Sequence, residues 1–247
     1  MKLHRRSPDH PTLWVRGSTD IRVYDEVVVN DDYGVRALVA QGFSPRLVFD
    51  IGANVGAFVR VAAAAWPLAT IVAVEADQAN ADVLDRNVAD IRIQAEQDRI
   101  RIVRAALMPG CSSAVVYGSS TRPEMTASRF CVPDTGVAEP PRIVGDGSAY
   151  PYENYRPVGR IAATTMRALV AEHGTPDFIK LDCEGGEVAW LSADDEAFPP
   201  AARIAGEWHD RNGAAAFRAL LTRRYPERTF EFKDCGAGPN RGMFSVG

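Results

Sequence analysis

One stretch constrains this chain more than any other: Asp50-Ile51-Gly52-Ala53-Asn54-Val55-Gly56. It lies where an apolar run (residues 46–51, RLVFDI) gives way to an apolar helical pattern (residues 55–66) that Pro67 stops. A buried strand passing through glycines into a helix opens a βα unit, and βα units build parallel sheets. Gly52 and Gly56 let the backbone approach a ligand closely, because a Cβ there would clash or forbid the turn. The helix N-terminus behind them offers unpaired N–H groups to a carboxylate or phosphate. Glu75 ends the next apolar run (residues 70–75, TIVAVE), 19 residues after Gly56. A carboxylate so placed can accept both hydroxyls of a ribose.

The alternation continues along the chain. Residues 77–90 read as an amphipathic helix with Ala79, Val83, Leu84 and Val88 on one side, and residues 100–105 as a third strand. Between residues 108 and 157 it breaks into a stretch crowded with Ser, Pro, Gly and Tyr, in which only residues 114–117 look like a strand. So long an irregular segment is uncommon in a compact domain unless it is functional, here as a substrate lid, or a disordered surface hairpin. Tyr150, Tyr152 and Tyr155 near its end are expected to meet an acceptor with their rings. Strands follow at residues 158–163, 177–182 and 203–208, with helices at 165–173, closed by Gly174, and at 214–224, ended by Pro226. Residues 229–233 and 243–246 read as an antiparallel edge pair. A single domain is expected over residues 1–247, with residues 1–45 as an N-terminal extension.

The bulk properties narrow the function classes. A formal net charge of −4 argues against non-specific nucleic-acid binding, and Arg122, Arg129, Arg142 and Arg156 are read as a solvated face. The four cysteines, Cys111, Cys131, Cys183 and Cys235, form no CxxC pair, which argues against structural zinc, and a domain of this size needs no disulfide framework. The first residues lack the apolar core of a secretory signal and no apolar run is long enough to span a bilayer, so the cytoplasm is the expected compartment. A homodimer is left open.

Three readings of the loop compete. A strand–helix turn without ligand ignores the Glu75 spacing. A nicotinamide site, hence an NAD-dependent oxidoreductase, needs G-x-G-x-x-G where this chain has G-x-N-x-G. A P-loop fails because Ala57 and Phe58 follow Gly56. Taken together, Asp50 to Gly56, Val74-Glu75-Ala76 and Ile179-Lys180-Leu181-Asp182-Cys183-Glu184-Gly185-Gly186-Glu187 resemble the FkbM family of S-adenosylmethionine-dependent methyltransferases. The resemblance spans roughly residues 31–208, with D-x-E-G-x-E as its most specific part. It implies a seven-stranded Rossmann-like class I methyltransferase fold and methylation of hydroxyl oxygens on sugars or secondary metabolites. By that likeness Asp50, Gly52 and Asn54, with Gly56 in the same loop, surround the methionine part of S-adenosyl-L-methionine. Glu75 holds the ribose, and Ala76 and Ala105 flank the adenine. The chain departs from the family's pattern in having Ala76 where a Pro is common, and in its long 108–157 insertion. A non-catalytic binding module on the same scaffold is the further alternative.

Methyl transfer from a sulfonium needs an aligned acceptor oxygen and a group to take its proton. His209, in Glu207-Trp208-His209 after a strand, and Asp182, at the end of its own strand and also beside the cofactor, compete for that role. Asp182, Glu184, Glu187, Glu207 and His209 form a carboxylate-rich set that could hold Mg²⁺. Glu187, however, is expected to cap the helix that follows, and no metal ligand is assigned. Tyr33 is read as core packing, with closure over the cofactor carboxylate as the alternative.

Overall fold

A computed structural model of the chain describes residues 1–95, 98–121, 130–134, 155–200, 202–210, 212–233 and 241–247. An antiparallel pair, β1 (Lys2–His4) and β2 (Leu13–Val15), leads into α1 (Ser18–Tyr24), a π-helical turn (Asp25–Val29) and α2 (Val35–Ala40). Then come β3 (Leu47–Ile51), α3 (Ala57–Ala65), β4 (Thr70–Glu75), α4 (Gln78–Ala95) and β5 (Ile100–Leu107). The insertion supplies β6 (Ser113–Ser119) and β7 (Phe130–Pro133) and runs into β8 (Tyr155–Thr164). The chain closes with α5 (Met166–His173), β9 (Phe178–Leu181), α6 (Gly186–Ser192), β10 (Arg203–His209), α7 (Gly213–Arg224), β11 (Phe230–Lys233) and β12 (Arg241–Val246).

The sheet runs β11-β12-β10-β9-β3-β4-β5-β8-β6-β7. Strands β10, β9, β3, β4, β5 and β8 pair in parallel, and β12 lies antiparallel between β10 and β11, the edge pair expected from the sequence. Among the described residues ten strands are joined where seven are expected. Of the extra three, β6 and β8 contain the strands expected at residues 114–117 and 158–163, and β7 is the one the sequence reading lacked; together they extend the sheet. β8 continues in parallel from the far end of β5, and β6 folds back between β8 and β7. Its packing explains the difference. Tyr117 stacks on Phe130 with ring centroids 5.5 Å apart, and Phe130 meets the Tyr155 ring at 5.2 Å. Tyr155 is therefore buried in a small apolar cluster rather than offered to an acceptor. Tyr150, Tyr152, Arg122, Arg129, Arg142 and Cys235 lie outside the described residues.

Strands β3, β4 and β9 are buried almost throughout, because helices cover both sheet faces. One core joins the N-terminal segment (Leu13, Tyr24, Tyr33) to Val59, Ile71 and Leu84. The other packs Trp190, Leu191, Phe217 and Leu221 against Phe49, Val72 and Ile179. The N-terminal segment is thus built into the first core. Asn87 of α4 anchors it, accepting from Trp14 N at 2.7 Å and donating to Val55 O at 2.7 Å. The strand order reverses at β3, whose neighbours are β4 and the much later β9. In open α/β sheets a ligand crevice forms at such a switch, outside the carboxyl ends of the strands.

Candidate active site

Two cavities open at that switch. The first is lined by Gly52, Asn54, Glu75, Ala76, Ala105 and Asp182, all six named from the sequence, together with Asn80, Met108, Cys131, Cys183 and Gly186. The second is larger, about 1190 Å³ of empty space out to its mouth against about 630 Å³. Its walls are Arg22, Glu26, Asp32 and Tyr33 of the N-terminal segment, with Lys180, Asp182, Glu184 and Glu207. Gly52, Asn54, Asp182 and Glu184 line both.

The loop after β3 is held by backbone geometry. Gly52 has φ +78°, and a Cβ on it would stand 1.7 Å from the Asp182 carbonyl oxygen, so only glycine lets the ends of β3 and β9 close on each other. Gly56, at φ +89°, precedes α3, and its Cβ would press on Leu84 at 2.8 Å. Gly56 therefore shapes the turn against α4 and does not line either cavity. Asp50 is likewise fully buried and outside both linings, facing Lys180 with Nζ–Oδ1 of 3.2 Å. Lys180, to which the sequence reading gave no role, also donates to Gly52 O at 2.5 Å. Burial pulls the Lys180 pKa down, but Asp50 and Asp182 raise it by more, so it stays an ammonium that ties β9 to the loop. The sequence carries no local signal for this pair: Asp50 and Lys180 fall opposite each other only in the β3–β9 register.

Glu75 sits at the first cavity with nearly all of its surface buried. It accepts from Asn54 N at 2.7 Å and from Asp77 N at 2.8 Å, with Asn80 Nδ2 at 3.4 Å. Burial pushes its pKa up to about 7, against the pull of those N–H donors. The carboxylate is thus clamped by backbone at the edge of the crevice.

The far side is built differently. Glu184 adopts a left-handed backbone, φ +53°, a conformation that costs a non-glycine residue about 1–2 kcal/mol. Glu187 is fully buried and accepts from Gly185 N at 3.1 Å, from Cys183 Sγ at 3.4 Å and from His209 N at 2.8 Å. It does meet the helix start, as expected, but it also fixes a histidine: His209 Nδ1 lies 2.8 Å from Glu187 Oε1. The other ring nitrogen, Nε2, lies 3.5 Å from Glu184 Oε2 and 3.8 Å from Glu207 Oε1. Burial lowers the His209 pKa, but Glu184, Glu187 and Glu207 together lift it well above 6.5. Glu184 is pushed up to about 8, by burial first and then by Asp182, Glu207 and Glu187. His209 is therefore not the unperturbed imidazole expected from the sequence: the carboxylates around it favour its protonated form.

Tyr33 packs in the core, as the first of its readings has it, and its hydroxyl meets a carboxylate of the protein. It packs edge-on to Phe58 with ring centroids 5.5 Å apart, and its hydroxyl donates to Asp182 Oδ2 at 2.7 Å. Burial and then Asp182 keep that hydroxyl protonated, far above pH 10. Asp182, Glu207 and His209, from two neighbouring strand ends, each present a ligand-type atom within 4.8 Å of the others. The sequence reading grouped them by composition but could not show that they converge.

A parallel sheet that reverses order beneath a glycine turn, with an acidic residue ending the second strand, defines the nucleotide-binding architecture of the Rossmann-like methyltransferases. The chain belongs to the FkbM methyltransferase family: the methyltransferase FkbM domain matches residues 50–232. That family implies S-adenosylmethionine as co-substrate. No curated protein sequence matches the chain. Among solved structures it is similar to the METTL16 MTase domain, at 13% identity over 94% of this chain and 69% of that one, with a TM-score of 0.50. It is also similar to the precorrin-6y C5,15-methyltransferase of Geobacter metallireducens GS-15, at 12% identity over 86% of each chain, TM-score 0.47. A third likeness is to the methyltransferase FkbM of Methylobacillus flagellatus KT, at 12% identity and TM-score 0.44, with 83% of this chain covered and 44% of that one. At 13% identity the first of these likenesses speaks to fold alone. No helix of the described residues is long and apolar enough to cross a membrane.

Proposed function

We propose that the chain transfers the methyl group of S-adenosylmethionine to a hydroxyl oxygen of a small natural product or saccharide. The observation that carries this reading is the pair of cavities sharing Gly52, Asn54, Asp182 and Glu184: one cleft with a ribose-type carboxylate, and a polar chamber opening beside it. Bound S-adenosylmethionine supplies an electrophilic methyl carbon on a sulfonium sulfur. Glu75 accepts the ribose hydroxyls, and Ala76 and Ala105 leave room for a flat base. Gly52 and Asn54 meet the methionine part. Asp50 and Gly56 serve this binding from beneath, one by holding Lys180 and the other by shaping the turn.

The acceptor lies in the second cavity with its hydroxyl against Asp182. As the carbon–oxygen bond forms and the carbon–sulfur bond breaks, the sulfur keeps the electron pair and Asp182 takes the proton. Alignment supplies most of the acceleration, up to about 7–11 kcal/mol, and the base about 10²–10⁴-fold. His209, clamped by Glu187, holds the carboxylates of that wall in place. Tyr33 aims Asp182. The acidic walls suit a neutral, hydroxyl-rich or cationic acceptor and repel an anionic one such as nucleic acid. The test is a screen of sugars and polyketides with labelled S-adenosylmethionine, read by mass spectrometry. A product one methyl group heavier at oxygen supports the reading, and methyl gain only at nitrogen or carbon refutes it.

A further inference from the structure

Another cavity, about 730 Å³ of empty space out to its mouth, is lined by Arg5, His10, Thr12, Arg60 and Arg99, with Ile91 beside them. Arg99 directly precedes β5, and its Nη1 donates to Ala69 O just ahead of β4. The cavity thus lies at the amino ends of the strands whose carboxyl ends form the crevice, a strand length of roughly 20 Å away.

Its walls carry positive charge that no carboxylate offsets. Among the described residues Arg5, Arg60 and Arg99 form no ion pair. Arg60 is only 7% exposed. Its Nε donates to Thr12 O at 2.8 Å and its Nη2 to Thr12 Oγ1 at 3.2 Å, which leaves Nη1 without a partner among the described residues. Arg99 gives its two terminal nitrogens to Ala69 O and Ala63 O, at 2.9 and 2.8 Å, and its sealed Nε has no partner. The carboxylate that bears on Arg60 is Asp90, which is engaged by Trp14 Nε1 at 2.6 Å. Burial pulls the pKa of Arg60 and of Arg99 down, the cost of taking a guanidinium from water without a counter-charge. His10 Nδ1 is likewise buried and unpartnered, and the Thr12 hydroxyl, which accepts from Arg60, keeps its own proton to donate.

From this geometry we infer that Arg5, His10, Thr12, Arg60 and Arg99 form a second binding site, which takes the phosphate group of a small ligand. Guanidinium forks match the oxygens of a phosphate, and the imidazole and hydroxyl add further donors. The donors line a hollow rather than a long strip, and the chain's net charge of −4 repels an extended polyanion. An occupant ties residues 5–12 to α3 and to the start of β5, fastening the N-terminal segment to the core. The site does not depend on the methyl-transfer reading.

The full chain, in chloride buffer of fixed ionic strength, is titrated by calorimetry with sodium phosphate and separately with phenyl phosphate. One saturable site per chain is expected, weakened more than about tenfold by Arg60→Gln and about threefold by Arg5→Gln. S-adenosylhomocysteine affinity is expected to stay unchanged in both variants, and saturating phosphate to raise Tm in the unsubstituted chain. Arg5 is exposed and hydrogen-bonds to nothing among the described residues, so Arg5→Gln keeps the test if Arg60→Gln does not fold. Tighter binding of phenyl phosphate assigns the site to an organic phosphate, and equal or weaker binding assigns it to free phosphate. Absence of saturable binding of either probe, or binding that survives both substitutions, overturns the site. Single-stranded RNA that binds more tightly than both probes, and is lost in the same variants, overturns it in favour of a nucleic-acid surface.

Discussion

The two halves of the crevice are both built from strand ends, yet they treat carboxylates in opposite ways. At the β3–β4 end, Glu75 is surrounded by backbone and amide N–H groups that satisfy it. At the β9–β10 end, Asp182, Glu184, Glu187 and Glu207 crowd one another around His209. The first arrangement is a preorganised acceptor of hydrogen bonds, complete before any ligand arrives. The second holds like charges in proximity at a cost, with Glu184 in a strained backbone conformation, and sites that store strain in this way are commonly those where ligands act. In the proposed function, binding and chemistry are divided between the two ends.

The largest expected effect breaks the join between them. Gly52→Ala drives a Cβ into the Asp182 carbonyl and demands a left-handed alanine, so the ends of β3 and β9 must part. A loss of at least about 3 kcal/mol is expected. In a thermal melt that is a fall of roughly 6–12 °C in Tm for a chain of this size. An unchanged melt would mean that the close approach is not a feature of the folded protein.

Next comes the satisfied end. Glu75→Ala removes charged hydrogen bonds to a ribose and is expected to weaken S-adenosylhomocysteine binding roughly 100-fold by calorimetry, about 3 kcal/mol. The same group sets a pH dependence. Only the ionised carboxylate accepts both hydroxyls, and burial has raised its folded pKa to about 7. Affinity is therefore full above pH 7 and falls as pH drops, by up to about tenfold per unit. Glu75→Gln should flatten the profile, and a slope that persists in that variant would assign the titration elsewhere.

The smallest effect probes the crowded end. Tyr33→Phe deletes one hydrogen bond to Asp182 while keeping the ring packed on Phe58. Turnover is expected to fall about tenfold with cofactor affinity unchanged. Equal turnover would detach the N-terminal segment from the chemistry.

The same contrast explains what the sequence made legible. The strand–turn–helix around Gly52 and the acid ending β4 are local patterns, set by apolar runs and glycine positions within one βα unit. The parallel strands and the antiparallel β12 followed from alternation in the same way. The β9–β10 end is not local: Asp182 and Glu207 become neighbours only through the register that pairs Leu181 with Gly206. The insertion was harder still: β6 and β8 were legible as strands, but β7 and the pairing of the three rest on contacts among Tyr117, Phe130 and Tyr155, whose spacing in the chain has no period. The electrostatic state of His209 was out of reach altogether, since it depends on three carboxylates brought in by different elements.

A crystal structure with S-adenosylhomocysteine tests the central claim most directly. The account predicts the ribose hydroxyls on Glu75 and the sulfur at the opening that Gly52, Asn54, Asp182 and Glu184 share. An adenosyl group bound elsewhere, or one whose ribose turns away from Glu75, would contradict it.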